Sequence, residues 1–500
     1  VWISLLCLAL TAGIPAAAAS ADRDASVPSL DDLRARMKTA QGTPLTNDVE
    51  TVVTTAADGT SSTSTTYRRG ADYRTVDDGG QRGVVGGEHW FQNANGLTVI
   101  DIPPEGDREA TSPAVTVTRV TSPAAYCITT DDRHGGITRE YVDPATFLVT
   151  RVEESTPAGT ATTTYTRYAT VGTQTFASEW TRDDRHELRV EHVTKRIDVA
   201  RTVTAQDVAE PPTERNLVDF PSSAPVTIPV TFVKNAIYVH AKVNGHPGNF
   251  ALDTGASGIV LDRTFARQSG LTLTDREVNV ANARAAQEFS VRVPSIEVGA
   301  VAMHDIVASA LDFSNFNETG GVHLDGLLGF DFLATEAVTI DYEHATVTLT
   351  PSEAYHPPAK RDTLALDIKL GSLTPEVPLT IEGHTSDRFL LDTGADSGVL
   401  IFDSFVRRHH GIGSHVGTST IAGAGGDVTV YVVRLSSFQI ANVKVVDFGA
   451  LETASATTYA DAGDGLLGQD FLQMFTIDLD YPNGAIYLTP NGRGHEVGLP

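Results

Sequence analysis

The chain has 500 residues, a formal net charge of −26, 41% hydrophobic residues and 20% charged residues. That length exceeds one ordinary domain, and the composition is that of a globular protein able to bury real cores. The acidic balance excludes nucleic acid as a partner, because no basic surface offsets phosphate repulsion, and the abundant Gly, Ser and Thr favour strands and turns over long helices.

Residues 1–20 read as a secretory signal peptide. Trp2 to Leu10 form its apolar core and Ala16 to Ala19 supply the small residues before a cut, although the usual basic start is missing. The apolar run is too short to span a bilayer, so no transmembrane span is expected once the signal is removed. Cys127 is then the single cysteine, which allows no internal disulfide. An exported chain without disulfides points to a secreted or periplasmic protein of Gram-negative bacterial type. Cys127 lies in an apolar stretch and reads as a buried structural thiol.

Residues 22–212 form the first expected domain. A helix is predicted over Leu30 to Thr39, capped by Ser29 with Asp31 and Asp32 in its first turn. Alternating segments follow at 51–55, 65–68, 97–102, 115–118, 147–153, 162–168 and 192–199, and together they predict an antiparallel sheet of hairpins. The polar stretch Thr60 to Thr66 reads as a loop or hairpin. Pro- and Ser-rich residues at 211–225 read as a linker, and residues 351–361 as a second one.

The two stretches between and beyond these linkers, 225–352 and 362–492, repeat one another. Phe250-Ala-Leu-Asp-Thr-Gly-Ala256 matches Phe389-Leu-Leu-Asp-Thr-Gly-Ala395, and Asp325-Gly-Leu-Leu-Gly329 matches Asp464-Gly-Leu-Leu-Gly468. Both pairs are offset by 392 − 253 = 464 − 325 = 139 residues. A register held over that distance marks a duplicated structural unit. Each copy opens with strands and a turn, Asn244-Gly245 or Glu382-Gly383. Each closes with an acidic-apolar strand and a final strand.

An apolar strand ending in Asp-Thr-Gly delivers a carboxyl group to a tight turn. Gly255 and Gly394 let backbone approach closely there, and Thr254 and Thr393 can hydrogen-bond across to the opposite loop. Two such loops meeting at a twofold axis would set Asp253 beside Asp392. Carboxyl groups that close cannot both ionise and must share a proton, so one can act as a base toward water and the other as an acid toward a carbonyl. Such a site needs no cofactor and no metal. His240 and His304 have no Cys or Glu at ligand spacing. Asp325 and Asp464 are read as turn or capping residues. Asp331 and Asp470 are read as caps of short helices beginning at Phe332 and Phe471. His409 and His410 are read as the end of a helix over Phe402 to His410, with cationic character suited to that end.

With both Asp-Thr-Gly motifs and both Leu-Leu-Gly motifs in view, the chain from about 225 to 492 resembles the retropepsin-like aspartic proteases, as two half-domains in tandem. The segment Glu140 to Glu153 also resembles lipoprotein-carrier-like periplasmic domains. These resemblances imply a mainly β protein. An amino-terminal antiparallel curved-sheet domain, serving recruitment of a substrate or partner or as a pro-segment, would precede two closed β-barrel half-domains forming a pseudo-twofold bilobal unit. They imply an aspartic endopeptidase acting on a protein or peptide substrate, with Asp253 and Asp392 catalytic and Thr254, Gly255, Thr393 and Gly394 supporting the loops. The chain would be a monomer whose halves form an intramolecular pseudo-dimer. The family covers its cleft with a Gly-rich hairpin flap. Gly423, Ala424, Gly425 and Gly426 fit that role in the second copy, whereas the first copy has the Gly-free Val280 to Gln287 at the corresponding place. The missing first flap glycine leaves open a non-catalytic peptide or envelope-component binding protein on a retained protease fold.

Overall fold

A computed structural model describes residues 27–100, 113–131, 136–156, 159–184, 189–213, 217–233, 236–275, 288–320, 322–359, 363–368, 370, 373–409, 411–423, 426–453 and 463–496. The expected signal peptide lies outside these residues. Among the described residues the fold is mostly β, with 59% strand and 12% helix. Contacts divide the chain into two compact units, Val1–Gly70 with Asp107–Thr204, and Ala71–Gly106 with Ala205–Pro500.

In the first unit a helix, Leu30–Gln41, begins where Ser29 accepts the Asp32 N–H at 3.1 Å. Its apolar positions Leu33 and Met37 pack on Ile128, Val142 and Val149 of a curved antiparallel sheet. The strands run in the order 61–69, 47–56, 189–198, 174–184, 159–171, 149–156, 137–142, 124–131 and 114–121. The predicted hairpins are therefore present, and Thr60 to Thr66 enters one of them, with Ser61–Arg69 pairing to Asn47–Ala56. Cys127 is a buried free thiol on the strand Ala124–Asp131.

The second unit contains two closed six-stranded barrels. In the first, strands Ala236–Val243 and His246–Leu252 turn back on Asn244 and Gly245, which both take positive φ (50° and 81°). Asn-Gly is the pair that tolerates this hairpin geometry best. The second barrel repeats the turn at Glu382 and Gly383 (49° and 91°). The barrels close where Phe289–Val298 pairs with Val301–Leu311, and where Glu376–Ile381 pairs with Gly426–Ile440.

A third sheet joins the halves. Strand Glu336–Asp341 of the first copy pairs antiparallel with Phe475–Asp480 of the second, Val338 opposite Leu479 and Ile340 opposite Ile477. Thr339 Oγ1 donates to Asp478 Oδ1 at 2.5 Å across this seam, and the two residues are 139 apart. Equivalent positions of the repeat thus face one another, as a twofold relation requires. One apolar core runs through both barrels and this sheet.

Ala71–Gly106 belong to this unit as well. They form a meander of strands Asp72–Asp77, Gly80–Val85, Glu88–Asn93 and Thr98–Ile100. Leu97 and Val99 enter the barrel core. Asn95 pairs its side-chain amide with both backbone groups of Val307 (2.9 and 2.8 Å), so it acts as one residue of an added strand.

Two local expectations change. The helices at the Gly motifs are Phe330–Leu333 and Gln469–Leu472, with Gly329 and Gly468 at their N-cap positions and no side-chain cap. Asp331 and Asp470 therefore sit inside the first turn and do not cap it. The helix expected at 402–410 is Asp403–Arg408, with His409 at its C-cap and stacked on His384.

Candidate active site

The strand His246–Leu252 is exposed at its start and buried in its last three residues. It lies parallel to Gly326–Leu328, with Phe250 opposite Gly326 and Leu252 opposite Leu328. The Asp253 N–H continues this pairing to Leu328 O at 3.0 Å. The second copy does the same with Phe389 opposite Gly465 and Asp392 N to Leu467 O at 2.9 Å. Each Leu-Leu-Gly strand thus supports one Asp-Thr-Gly loop. Gly329 and Gly468 are required by closeness: a Cβ at either would lie 2.4 Å from a backbone oxygen of the loop above.

The two loops lock through their threonines. The Thr254 N–H donates to Thr393 Oγ1 at 3.0 Å and the Thr393 N–H to Thr254 Oγ1 at 2.9 Å. Each hydroxyl in turn donates across the axis, Thr254 Oγ1 to Leu391 O at 2.5 Å and Thr393 Oγ1 to Leu252 O at 2.9 Å. Both threonines are buried. Four reciprocal bonds of this kind fix the loops relative to each other, and breaking one strands a buried partner at a cost of about 1–3 kcal/mol.

Above this lock the two carboxyl groups face one another closely enough for each to perturb the ionisation of the other. A Cβ placed on Gly255 would lie 2.7 Å from the Asp392 carboxyl, and one on Gly394 2.5 Å from that of Asp253. Neither glycine has positive φ, so what they supply is room for the opposite carboxyl. Asp253 Oδ1 accepts the Gly255 N–H at 2.8 Å. Asp392 Oδ1 accepts the N–H groups of Gly394 at 2.8 Å and Ala395 at 3.2 Å. Burial and then the Asp392 charge hold the Asp253 carboxyl well above the usual range. Burial raises Asp392 too, against the backbone N–H groups that favour its ionised form. The pair therefore retains a proton into a pH range where isolated carboxyls have lost theirs.

The repeated acids at 325 and 464 stand apart from this pair. Asp325 Oδ2 accepts the Asn249 N–H at 2.9 Å, and Asp464 accepts the Ser386 hydroxyl at 2.6 Å and pairs with Arg408 at 2.5 Å. Both are structural. The candidate flap is a hairpin of Ser414–Gly423 with Gly426–Ile440, closing at Gly423 opposite Gly426. Ala424 and Gly425 lie outside the described residues, as do Val280 to Gln287 of the first copy. Helix Ser314–Gly320 of the first half lies against the flap strand Ser414–Gly423 of the second.

Several supporting residues carry no motif. Asp331 Oδ2 accepts the Ile259 N–H behind the first loop at 3.2 Å, and its Oδ1 accepts Asn93 Nδ2 at 2.6 Å. Asn93 thus ties the meander to the loop that carries Asp253. Asn93→Leu is expected to leave a buried carboxylate short of a partner and to lower unfolding stability by about 1–3 kcal/mol in urea titration. An unchanged midpoint would remove Asn93 from this role. Beneath the pair lie Tyr342, Gln469 and Tyr481. Aligning the repeat at 139 residues exposes them, since Tyr342 and Tyr481 are equivalent while Gln469 stands against Phe330.

The aspartyl protease family model matches the chain twice, over residues 239–332 and 377–471, one match to each barrel. Both barrels are thus similar to aspartyl protease domains, consistent with two half-domains in tandem within one chain. No curated protein matches the chain.

Proposed function

We propose that this protein is an exported aspartic endopeptidase, secreted or periplasmic, that hydrolyses peptide bonds with Asp253, Asp392 and a water molecule. The observation that carries the reading is the pair of carboxyls set against each other over the threonine lock. One carboxylate takes a proton from water as its oxygen attacks the scissile carbonyl carbon. The protonated partner gives its proton to the carbonyl oxygen, which yields a gem-diol. Collapse returns a hydroxyl proton to the second carboxyl and delivers the first carboxyl's proton to the leaving nitrogen. One water is consumed, and the pair ends as it began. The substrate would lie extended, held by backbone hydrogen bonds as an added strand, with the Gly423 to Gly426 hairpin closing over it. The chain would work as a monomer, since both aspartates come from one unit.

The amino-terminal sheet would recruit a substrate or envelope partner. Against its being a discarded pro-segment, Ala71–Gly106 pack within the protease unit and Asn93 holds Asp331. The test is incubation of the purified chain with an unfolded protein, with products read by mass spectrometry. Internal cuts with new carboxyl termini are expected. Intact substrate at every pH from 3 to 8 would favour peptide binding without cleavage.

A further inference from the structure

The threonine lock is symmetric, but the layer beneath it is not. On the second side, Tyr342 Oη donates to Gln469 Oε1 at 2.8 Å, and Gln469 Nε2 donates to Thr393 O at 2.7 Å. The carbonyl of Thr393 and the N–H of Gly394 belong to one peptide group, and that N–H donates to Asp392 Oδ1 at 2.8 Å. These bonds form one directed relay, hydroxyl to amide to peptide to carboxylate. A peptide whose carbonyl accepts a hydrogen bond is a stronger donor at its N–H, so each link strengthens the next. On the first side Gly255 also donates to Asp253 Oδ1 at 2.8 Å, but the residue equivalent to Gln469 is Phe330, which can donate nothing. Tyr481, the equivalent of Tyr342, lays its ring near Phe330 (6.3 Å between centroids). Its buried hydroxyl has no partner among the described residues.

We infer that Gln469, oriented by Tyr342, is a positioning residue that breaks the symmetry of the pair, holding the negative charge on Asp392 and leaving the shared proton on Asp253. The inference rests on the proposed activity and deepens it. Asp392 is then the base that receives the proton of the attacking water, and Asp253 the acid that protonates the carbonyl oxygen. Among the described residues, few other titratable groups face the pair. Tyr481 lies beneath both carboxyls and is kept neutral by burial and by their charges. Tyr342 stands one residue further back, behind Gln469, and Asp331 braces the far side of the first loop through Ile259. The raised Asp253 carboxyl agrees with this order of titration.

The experiment compares the full native chain with Gln469→Met and Tyr342→Phe. Two readouts are taken: carbon-13 carboxyl NMR titration of the pair, and the pH profile of kcat/KM on an unfolded protein substrate. Gln469→Met keeps the volume and removes the donor. The lower titration step should move to higher pH, by about three- to tenfold in the proton-binding constant, and the acid limb of the profile should move with it while KM holds. Tyr342→Phe should move both in the same direction by less. Titrations that superimpose on the native one overturn the inference even if the native chain cleaves. Should Gln469→Met not fold, a Tyr342→Phe titration that superimposes on the native one overturns it alone. A native chain that cleaves nothing, with a titration step that still moves in the variants, overturns the proposed activity and leaves the proton assignment standing.

Discussion

Gly394→Ala is expected to lower kcat/KM by about a hundredfold or more while the protein still folds. The added methyl would lie 2.5 Å from the Asp253 carboxyl, inside any distance that real Cβ atoms tolerate. The carboxyl cannot yield sideways, because its Oδ1 is held by Gly255 N–H and its loop by the threonine lock. The loops must therefore separate, and a displacement of about 1 Å at reacting groups costs on the order of 10²-fold in rate. The strain itself would take about 1–3 kcal/mol of stability. Gly383→Ala is the matching control. It sits at φ +91° in a turn with nothing within 4 Å of the new methyl, so it should cost stability without a comparable loss of activity. The check is kcat/KM and thermal midpoint for both variants. Equal activity losses would show that the crowding at Gly394 is not what matters.

Glu336→Gln is expected to stabilise the protein at neutral pH and to do little in acid. Glu336 opens the strand that crosses between the halves and is fully buried. Thr335 Oγ1 donates to its Oε2, but Oε1 has no partner among the described residues. Burial pushes this carboxyl up to about 8, from an ordinary 4.5. The folded state therefore holds a proton that the unfolded state releases. Nothing is lost below the unfolded value, and stability falls as pH rises from about 4.5 toward 8. By pH 7 the loss attributable to this group is on the order of 3 kcal/mol, taking about 1.4 kcal/mol per pH unit. An amide carries no such dependence. Urea unfolding at pH 4.5 and pH 7.5 should show a native-to-variant gap that widens with pH. A gap of constant size would mean that Glu336 is ionised throughout. Asp331, Asp478 and Asp480 are also raised by burial, and each acts in the same direction.

The barrels were legible because their determinants are local and written twice. Asn244-Gly245 specifies a hairpin, Phe250 to Leu252 a buried strand end, and Gly329 a close approach. The offset of 139 residues carries the strand end and the close approach to the second copy, and Glu382-Gly383 repeats the turn at an offset of 382 − 244 = 138. The pair of aspartates was legible for the same reason. Three features were not. The pairing of Glu336–Asp341 with Phe475–Asp480 joins elements far apart in sequence whose alternation reads equally well as a sheet edge. The membership of Ala71–Gly106 in the second unit rests on Asn93, Asn95, Leu97 and Val99, which read as ordinary hairpin residues until their partners are known. Gln469 was hidden because attention to what the copies share passes over the position where they differ.

The most direct measurement is proteolysis of an unfolded protein from pH 3 to 8 by the native chain and by Asp392→Asn. The account predicts cleavage by the native chain over a window in which the pair holds one proton, and none by the variant at any pH. Equal cleavage by both would contradict it, because the second Asp-Thr-Gly would then be a structural turn and the site would lie elsewhere.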